Sequence, residues 1–358
     1  MTGRGLRLAM AVTAGVLGIA ALALAGHVLV HRHHGRPAGA AASTGSLPTG
    51  SLSTGSLSTG SLGSARQLQG SNLTLVPARG AYLGAYVQPA SYTQRGLITA
   101  VSAFERRVGR PIDLVHTYDQ WGKAFPTAAD SYFADSGKVL LLTWGGSPDT
   151  QAIIAGRDDA MIRARAQAVK RLRRPILMEF RHEMDRPNLQ WTIHGPANYI
   201  AAWDHVRSIF SAVGATNVSW VWCPTGYGFQ VGRAQAFYPG NNEVDWVCAD
   251  VYANSTGQSL GAAATPFLSW ATRTGKPVII GEFAANGHAD GWSSWMAAAG
   301  RLAESDRQIR AMAYFDGNGT DSNGHPFQYW LASHPRALSV FGRLLAEPFF
   351  HPSVRADP

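Results

Sequence analysis

The sequence predicts an α/β protein built as one (β/α)8 (TIM) barrel, preceded by an N-terminal signal or anchor helix and a low-complexity linker. From about residue 81, short apolar runs alternate with helical patterns in eight units. The fourth and seventh runs each end in a glutamate, as expected where a parallel sheet has a site at its carboxyl edge. The alternative is a doubly wound open sheet, but no glycine-rich phosphate loop supports it.

The eight units can be placed along the chain from their apolar periodicity. The predicted strands are 82–87, 112–118, 139–144, a run that begins at 176, 218–222, 244–252, 278–282 and 309–315. The predicted helices are 94–108, 158–173, 196–213, 266–274, 292–304 and 334–345. Pro196 fits the first turn of its helix, where a missing N–H costs nothing.

The N-terminal region resembles a targeting segment followed by a tether. Arg4 and Arg7 precede an apolar run over 8–30 that only His27 interrupts. Its Ala-Leu-Ala at 23–25 suits signal peptidase, and its length also suits a membrane-spanning helix of about 20 residues. A Thr-Gly-Ser-Leu repeat then predicts a flexible spacer. The predicted domains are a signal peptide or membrane anchor (1–36), a linker (37–72) and a catalytic barrel (73–358), secreted or membrane-anchored outside the cytoplasm.

The positive net charge belongs mostly to this N-terminal region. Six of the 31 basic residues and none of the 23 acidic residues lie in the first 80 positions. The rest of the chain therefore has 25 basic against 23 acidic residues, which does not indicate nucleic-acid binding. We expect membrane contact only through the N-terminal segment, and a monomeric protein.

Two stretches supply the candidate catalytic groups. The stretch 173–185 begins as a buried strand and ends in ionisable residues that include Glu183, and the stretch 276–283 ends in Glu282. Two glutamates at one rim of a barrel suggest glycoside chemistry. Glu183 would be the general acid, with its pKa raised by apolar surroundings and by Glu282, and hydroxyls such as that of Tyr252 would keep Glu282 ionised. The alternative for either glutamate alone is a paired carboxylate of the rim.

Aromatic, histidine and carboxylate side chains at the other strand ends predict a sugar site, since sugar C–H faces pack on aromatic rings and hydroxyls need polar partners. For any single aromatic residue, core packing is the favoured interpretation. Trp220 and Trp222 share one side of their strand, so one of them is expected in the core and Trp222 nearer the rim. The candidate substrate-binding residues are His116, Trp144, His182, Trp191, Trp222, Asp250, Tyr252 and Tyr314.

In combination, these motifs resemble glycoside hydrolase family 26, a family best known for β-mannanases. The resemblance rests on His182-Glu183-Met184, 199–206, 220–224, 238–252 and Gly281-Glu282-Phe283. It implies a retaining enzyme with Glu183 as acid/base and Glu282 as nucleophile. The chain departs from the family at 179–181 and at Asp185, where an additional carboxylate and guanidinium could alter sugar contacts or form an ion pair.

These observations favour a retaining endo-β-glycanase that acts on β-1,4-mannan first and mixed-linkage β-1,3-1,4-glucan second. A related alternative is a hydrolase or transglycosylase that processes the cell's own exopolysaccharide. A non-enzymatic alternative is a carbohydrate-binding barrel, which retention of both glutamates disfavours. The expected partner is a polysaccharide or oligosaccharide, and no cofactor is expected.

Two smaller features stay open. Cys223 and Cys248 fall on neighbouring predicted strands, and export would permit a disulfide, but the sequence does not decide whether they pair. Asp316, Asn318, Asp321 and Asn323 crowd a glycine-rich loop, as calcium ligands can. A solvated turn is the favoured interpretation of this loop, so no metal is predicted.

Overall fold

The computed structural model describes residues 75–287, 291–321 and 324–352. The predicted signal or anchor segment (1–36) and the predicted linker (37–72) lie outside the described residues. Within the described ranges, no helix is both long and apolar enough to cross a membrane.

Eight parallel strands close into a barrel in sequence order, with β8 paired to β1. The strands are β1 (Tyr82–Val87), β2 (Leu114–Gln120), β3 (Val139–Gly145), β4 (Ile176–Phe180), β5 (Val218–Trp222), β6 (Trp246–Ala253), β7 (Val278–Ala285) and β8 (Ile309–Asp316). The helices are α1 (Gln94–Val108), α2 (Ala128–Asp135), α3 (Thr150–Ile154), α4 (Asp159–Leu172), α5 (Gln190–Ile193), α6 (Pro196–Val213), α7 (Gly226–Gln230), α8 (Leu260–Ala271), α9 (Trp292–Ser305) and α10 (Pro335–Ala346). A short hairpin, β9 (Asn318–Thr320) with β10 (Pro326–Gln328), follows β8. The predicted (β/α)8 barrel is confirmed.

The main errors of prediction concern helices. Helix α8 begins at Leu260, six residues before the predicted start, because the Ser259 hydroxyl caps it by accepting from the N–H of Ala262 at 3.1 Å. Pro266 therefore lies inside this helix and does not begin it. Helix α2 was not predicted, although Thr127 and Asp130 form a capping box at its start.

Alternate residues of each strand enter two different cores. One core fills the barrel lumen and includes Leu141, Leu177 and Val221. The other lies between the strands and the surrounding helices and includes the intervening residues, such as Leu142 and Met178. Side chains of alternate strand residues thus point either into the lumen or toward the helices. Only those that point into the lumen can face a site at the carboxyl rim.

An irregularity in the pairing of β6 with β7 brings Glu282 into the site. Ala249 pairs with Ile280, but the next residue, Asp250, pairs with Glu282, so Gly281 is an extra residue in β7. A Cβ atom on Gly281 would lie 2.6 Å from the sulfur of Cys248 and 2.7 Å from Oδ1 of Asp250. Any larger residue here would have to displace these side-chain atoms, so glycine is the residue that fits.

Candidate active site

Glu183 lies on a tight turn that follows β4. Its φ of 51° is in the left-handed region, and its backbone N–H donates to the carbonyl of Cys223 at 2.7 Å. This turn aims the carboxyl group inward, where only 3% of the residue is exposed. Its Oε2 accepts a hydrogen bond from Nη1 of Arg186 at 2.6 Å.

The surroundings of Glu183 favour its protonated form. Burial raises the pKa of Glu183 to about 8, against the opposing effect of Arg186, and the charges of Glu282 and Asp185 also raise it. A carboxyl group in this state can donate a proton at neutral pH.

Glu282 is held by two tyrosine hydroxyls. Tyr118, from β2, donates to Oε1, and Tyr252, from β6, donates to Oε2 at 2.5 Å. Burial raises the pKa of Glu282, while His116 and the two hydrogen bonds oppose that rise. Burial also raises the pKa values of both tyrosines well above their usual value, which keeps them as donors. Both donors stabilise the ionised carboxylate.

A buried polar network lies beneath these two carboxylates. Thr143 donates to Oε2 of Glu179 at 2.5 Å, and Nε2 of His116 lies 2.7 Å from the Thr143 hydroxyl. The other ring nitrogen of His116 lies 3.2 Å from the carbonyl of Gly281. Burial opposes ionisation of Glu179, but His116, His182 and the Thr143 hydrogen bond overcome it and lower the pKa of this carboxyl. His116, predicted to bind substrate, is thus buried among protein groups and supports the backbone next to Glu282.

Asp250 and His182 complete the inner wall of the site. Burial, together with Glu282 and Glu179, raises the pKa of Asp250 well above its usual value. Burial lowers the pKa of His182 to about 4, although Glu179 opposes the change, so the imidazole is neutral near pH 7. A neutral imidazole and a carboxyl group whose ionisation is disfavoured are suited to hydrogen bonding with sugar hydroxyls.

Cys223 and Cys248 form a disulfide between β5 and β6, which settles the pairing that the sequence left open. The sulfur of Cys248 lies 3.6 Å from Oε1 of Glu179, so the disulfide packs against the buried polar network beneath the two carboxylates.

Two groups of side chains in the site have the spacing of metal ligands. The first combines Glu179 with the two cysteines, whose sulfurs are already bonded to each other. The second combines His182, Asp250 and Glu282, but tyrosine hydroxyls occupy both oxygens of Glu282. We therefore do not identify either group as a set of metal ligands.

Three predicted sugar contacts are wrong, because the residues point away from the site. Trp144, Trp222 and Tyr314 are fully buried in the core between strands and helices. Trp144 stacks on Trp121 at 4.2 Å, and the hydroxyl of Tyr314 donates to the carbonyl of Tyr329 at 2.6 Å. Strand parity is the reason: inward positions near the ends of β3 and β5 are taken by residues such as Thr143 and Cys223.

Trp191 lies in the short helix α5, within the segment that connects β4 to α6. Trp191 is 69% exposed, which is among the highest values for large apolar residues in the described part of the chain. Its role as a sugar platform stays a prediction. Tyr252 is part of the site, where it contacts Glu282.

The two departures from the family pattern do not form an ion pair with each other. Arg181, also at positive φ, donates to the carbonyl of Gly146 and to the hydroxyl of Thr192 at 2.5 Å. Asp185 accepts from the N–H and the hydroxyl of Thr225, at 2.8 and 2.6 Å. Arg181 thus links the segment around Glu183 to the end of β3 and to α5, and Asp185 links it to Thr225 at the start of α7.

The sequence places Tyr118 at the predicted rim and Glu179 among the ionisable residues of 173–185, but neither was a candidate site residue, and no pattern pointed to Arg186. Tyr118 lies two positions after His116, and Glu179 lies two positions after the lumen residue Leu177, so strand parity could have found both. Arg186 carries no comparable signal, because its contact depends on the left-handed turn at Glu183.

In the acidic loop after β8, carboxylate oxygens accept hydrogen bonds from backbone N–H groups of the protein. Asp316 accepts from the N–H of Leu331 at 2.7 Å, and Asp321 accepts from the N–H of His325 at 2.8 Å. Asn323, the fourth residue considered for calcium, lies outside the described residues. The described part of the loop is therefore a hydrogen-bonded hairpin.

The comparisons with known proteins agree with this architecture. A family model described as Glycosyl hydrolase family 26 matches residues 88–290. Endoglucanase H of Acetivibrio thermocellus is 29% identical over 289 residues, which cover 73% of this chain and 30% of that protein. This chain thus spans less than a third of the length of that relative.

Solved structures share the fold. The β-mannanase from a symbiotic protist of the termite Reticulitermes speratus superposes with a TM-score of 0.54 at 13% identity, covering 77% of this chain and 94% of the other. The catalytic domain of an endo-β-1,4-mannanase from Bacillus sp. JAMB-750 gives 0.57 at 14% identity, covering 77% and 89%. At these identities the likeness establishes the barrel alone.

Proposed function

We propose, on the premise that this chain belongs to glycosyl hydrolase family 26, that it is a retaining endo-β-glycanase with Glu183 as acid/base and Glu282 as nucleophile. One observation carries the assignment: the two glutamates differ in their hydrogen-bond donors and in how strongly their surroundings favour the acid form. Glu282 accepts from two tyrosine hydroxyls, which favour the carboxylate. Glu183 is buried and has a pKa of about 8, which favours the acid.

The reaction follows from these two protonation states. In the first step, a carboxylate oxygen of Glu282 attacks the anomeric carbon while the bond to the leaving oxygen breaks. Glu183 gives its proton to that oxygen, so the aglycone leaves as a neutral alcohol. In the second step, Glu183 removes a proton from water, the water oxygen bonds to the anomeric carbon, and the ester to Glu282 breaks.

The first substrate to test is a β-glucan. The relationship to Endoglucanase H covers 73% of this chain at 29% identity, whereas the mannanase structures resemble it at 13–14%. A mixed-linkage β-1,3-1,4-glucan, second in order from the sequence alone, therefore takes precedence. β-1,4-Mannan, favoured by the motif resemblance, is the second candidate.

The experiment is a panel of defined polysaccharides and oligosaccharides with two readouts. Product sizes over time distinguish internal from terminal cleavage, and proton NMR of the first product distinguishes a β-anomer (retention) from an α-anomer (inversion). We expect early β-configured oligosaccharides from the mixed-linkage glucan. An α-anomer as first product would contradict the retaining mechanism, and binding without cleavage would support the carbohydrate-binding alternative.

A further inference from the structure

Arg186 is in direct contact with the proposed acid/base. The 2.6 Å contact between its Nη1 and Oε2 of Glu183 joins two side chains that are 9% and 4% exposed. When Glu183 is ionised, a buried contact of this kind is screened little by salt, in contrast to pairs on the protein surface.

The loop is built so that Arg186 folds back onto Glu183. The N–H of Arg186 donates to the carbonyl of Glu183 at 3.0 Å, which closes a tight turn between them. The side-chain amide of Gln190 then donates to the carbonyls of Met184 and Arg186, at 2.8 and 3.0 Å. The position of the guanidinium is therefore fixed by backbone contacts as well as by its charge.

The other groups with a large effect on Glu183 are acidic. Glu282 comes from β7 and Asp250 from β6, while Asp185 is on the same loop as Glu183. Each of these groups, when ionised, favours a protonated Glu183, and Arg186 opposes them.

We propose, on the basis of the function proposed above, that Arg186 is a positioning residue that fixes the Glu183 carboxyl group and balances its protonation between the two steps of the reaction. In the first step, the charge of Glu282 helps Glu183 to keep the proton that it must donate. In the glycosyl-enzyme, Glu282 is an ester and has no charge, while Arg186 remains. The balance then shifts toward the carboxylate, which is the form that activates water in the second step.

The test compares pH profiles of Arg186→Met, which removes the charge, and Arg186→Lys, which keeps it. For Arg186→Met, the alkaline limb of kcat/KM on a polysaccharide should move to higher pH by about 1–3 units, as expected for loss of an opposite charge in contact. On an activated aryl β-glycoside, whose first step needs no acid, kcat near pH 6 should fall because less Glu183 is available as base. For Arg186→Lys, the alkaline limb of kcat/KM should stay close to its wild-type pH.

Arg233→Met is the matched control. Arg233 lies 3.8 Å from Oδ2 of Asp185 and acts on Glu183 only through that carboxylate, so its removal should move the alkaline limb much less than Arg186→Met does. A lower melting temperature of Arg186→Met with an unmoved limb would mean a purely structural role and would overturn the inference. If Arg186→Met does not fold, Arg186→Gln, which keeps donors without charge, carries the same comparison.

Failure of this inference is distinguishable from failure of the proposed function. If Glu183→Ala still hydrolyses unactivated polysaccharide at the wild-type rate, the acid/base assignment itself is wrong. If Glu183→Ala is inactive but Arg186→Met keeps the wild-type profile, only the role of Arg186 is rejected.

Discussion

Tyr252 donates a 2.5 Å hydrogen bond to Oε2 of Glu282 from the strand beside the one that carries the glutamate. The register shift that inserts Gly281 into β7 aligns the two strands so that Asp250, two residues before Tyr252, pairs with Glu282. A glycine and a tyrosine thus define where Glu282, the proposed nucleophile, lies, and the tyrosine hydroxyl favours its carboxylate form.

The pH dependence of kcat/KM should be bell-shaped, with its alkaline limb near pH 8. Glu183 must be protonated to act as acid, and its pKa is raised to about 8, so activity falls as pH rises through that value. The acid limb is set by the ionisation of Glu282. It should lie above pH 4.5, the ordinary pKa of a glutamate, since burial raises the pKa of this group as well. The measurement is kcat/KM on an oligosaccharide between pH 4 and 10.

Glu183→Gln supplies the control for that assignment. The folded state holds the Glu183 proton more tightly than the unfolded state, so this group contributes stability below pH 4.5 that is lost as pH rises toward 8. The melting temperature of Glu183→Gln should therefore fall less than that of the wild type across this window. Equal slopes for the two proteins would contradict a raised pKa at Glu183.

Trp191→Ala should weaken catalysis with little change in stability. An indole that is 69% exposed contributes little to the core, but as a sugar platform it would contribute about 1–3 kcal/mol of burial in the complex. We expect kcat/KM on the best oligosaccharide to fall roughly 5- to 160-fold. Tyr132→Ala, at a 48% exposed aromatic of α2 on the outside of the barrel, is the control. Unchanged kcat/KM for Trp191→Ala would place the platform elsewhere.

Trp222→Ala should show the opposite pattern. Its ring packs against Tyr238 at 4.9 Å and Trp270 at 5.2 Å, so truncation leaves a cavity in the core. We expect a loss of about 3–5 kcal/mol in the free energy of unfolding, measured by denaturant titration. Wild-type stability together with reduced affinity for oligosaccharides would restore the original prediction that Trp222 contacts sugar.

The sequence predicted the barrel because each strand is a short apolar run, a signal that does not depend on side-chain direction. The sequence singled out Glu183 and Glu282 as the candidate catalytic pair because each comes at the end of a predicted apolar run, and that role stays a prediction. The errors at Trp144, Trp222 and Tyr314 arose from treating every residue near a strand end as part of the rim. Strand parity decides between lumen and helix layer, and it was available from Trp220 and Trp222, which share the helix-facing side.

Other features could not be read from the sequence. The insertion of Gly281 into β7 depends on contacts with Cys248 and Asp250 on a neighbouring strand. At Glu183 a non-glycine residue adopts positive φ, and nothing in the residue type predicts this left-handed conformation. The contact of Arg186 with Glu183 follows from that conformation, so it too requires the three-dimensional structure.

Truncation before about Asn72 should leave a folded barrel. A Thr-Gly-Ser-Leu tether contributes no core, so the melting temperature should match that of the full chain. The full chain, in turn, is expected to be exported, which cell fractionation would check. A lower melting temperature after truncation would move the domain boundary, and a barrel found in the cytoplasm with its leader intact would contradict export.

The assignment of the nucleophile predicts the outcome of azide rescue of Glu282→Ala. This substitution prevents formation of the glycosyl-enzyme but keeps Glu183 in place. Azide can then occupy the vacated space and attack the anomeric carbon of an activated β-glycoside while the aryl leaving group departs. A single displacement inverts the configuration, so the expected product is the α-glycosyl azide.

The assignment of the acid/base predicts the other anomer. Glu183→Ala should still form the ester to Glu282 from a substrate with a good leaving group, because that step needs no proton donor. Azide needs no general base, so it should attack the ester intermediate and release Glu282 as carboxylate. Two inversions restore the configuration and give the β-glycosyl azide. The two variants must therefore yield opposite anomers, which NMR of the products distinguishes. The same anomer from both, or appreciable hydrolysis of an unactivated polysaccharide by either, would reject the two-glutamate mechanism.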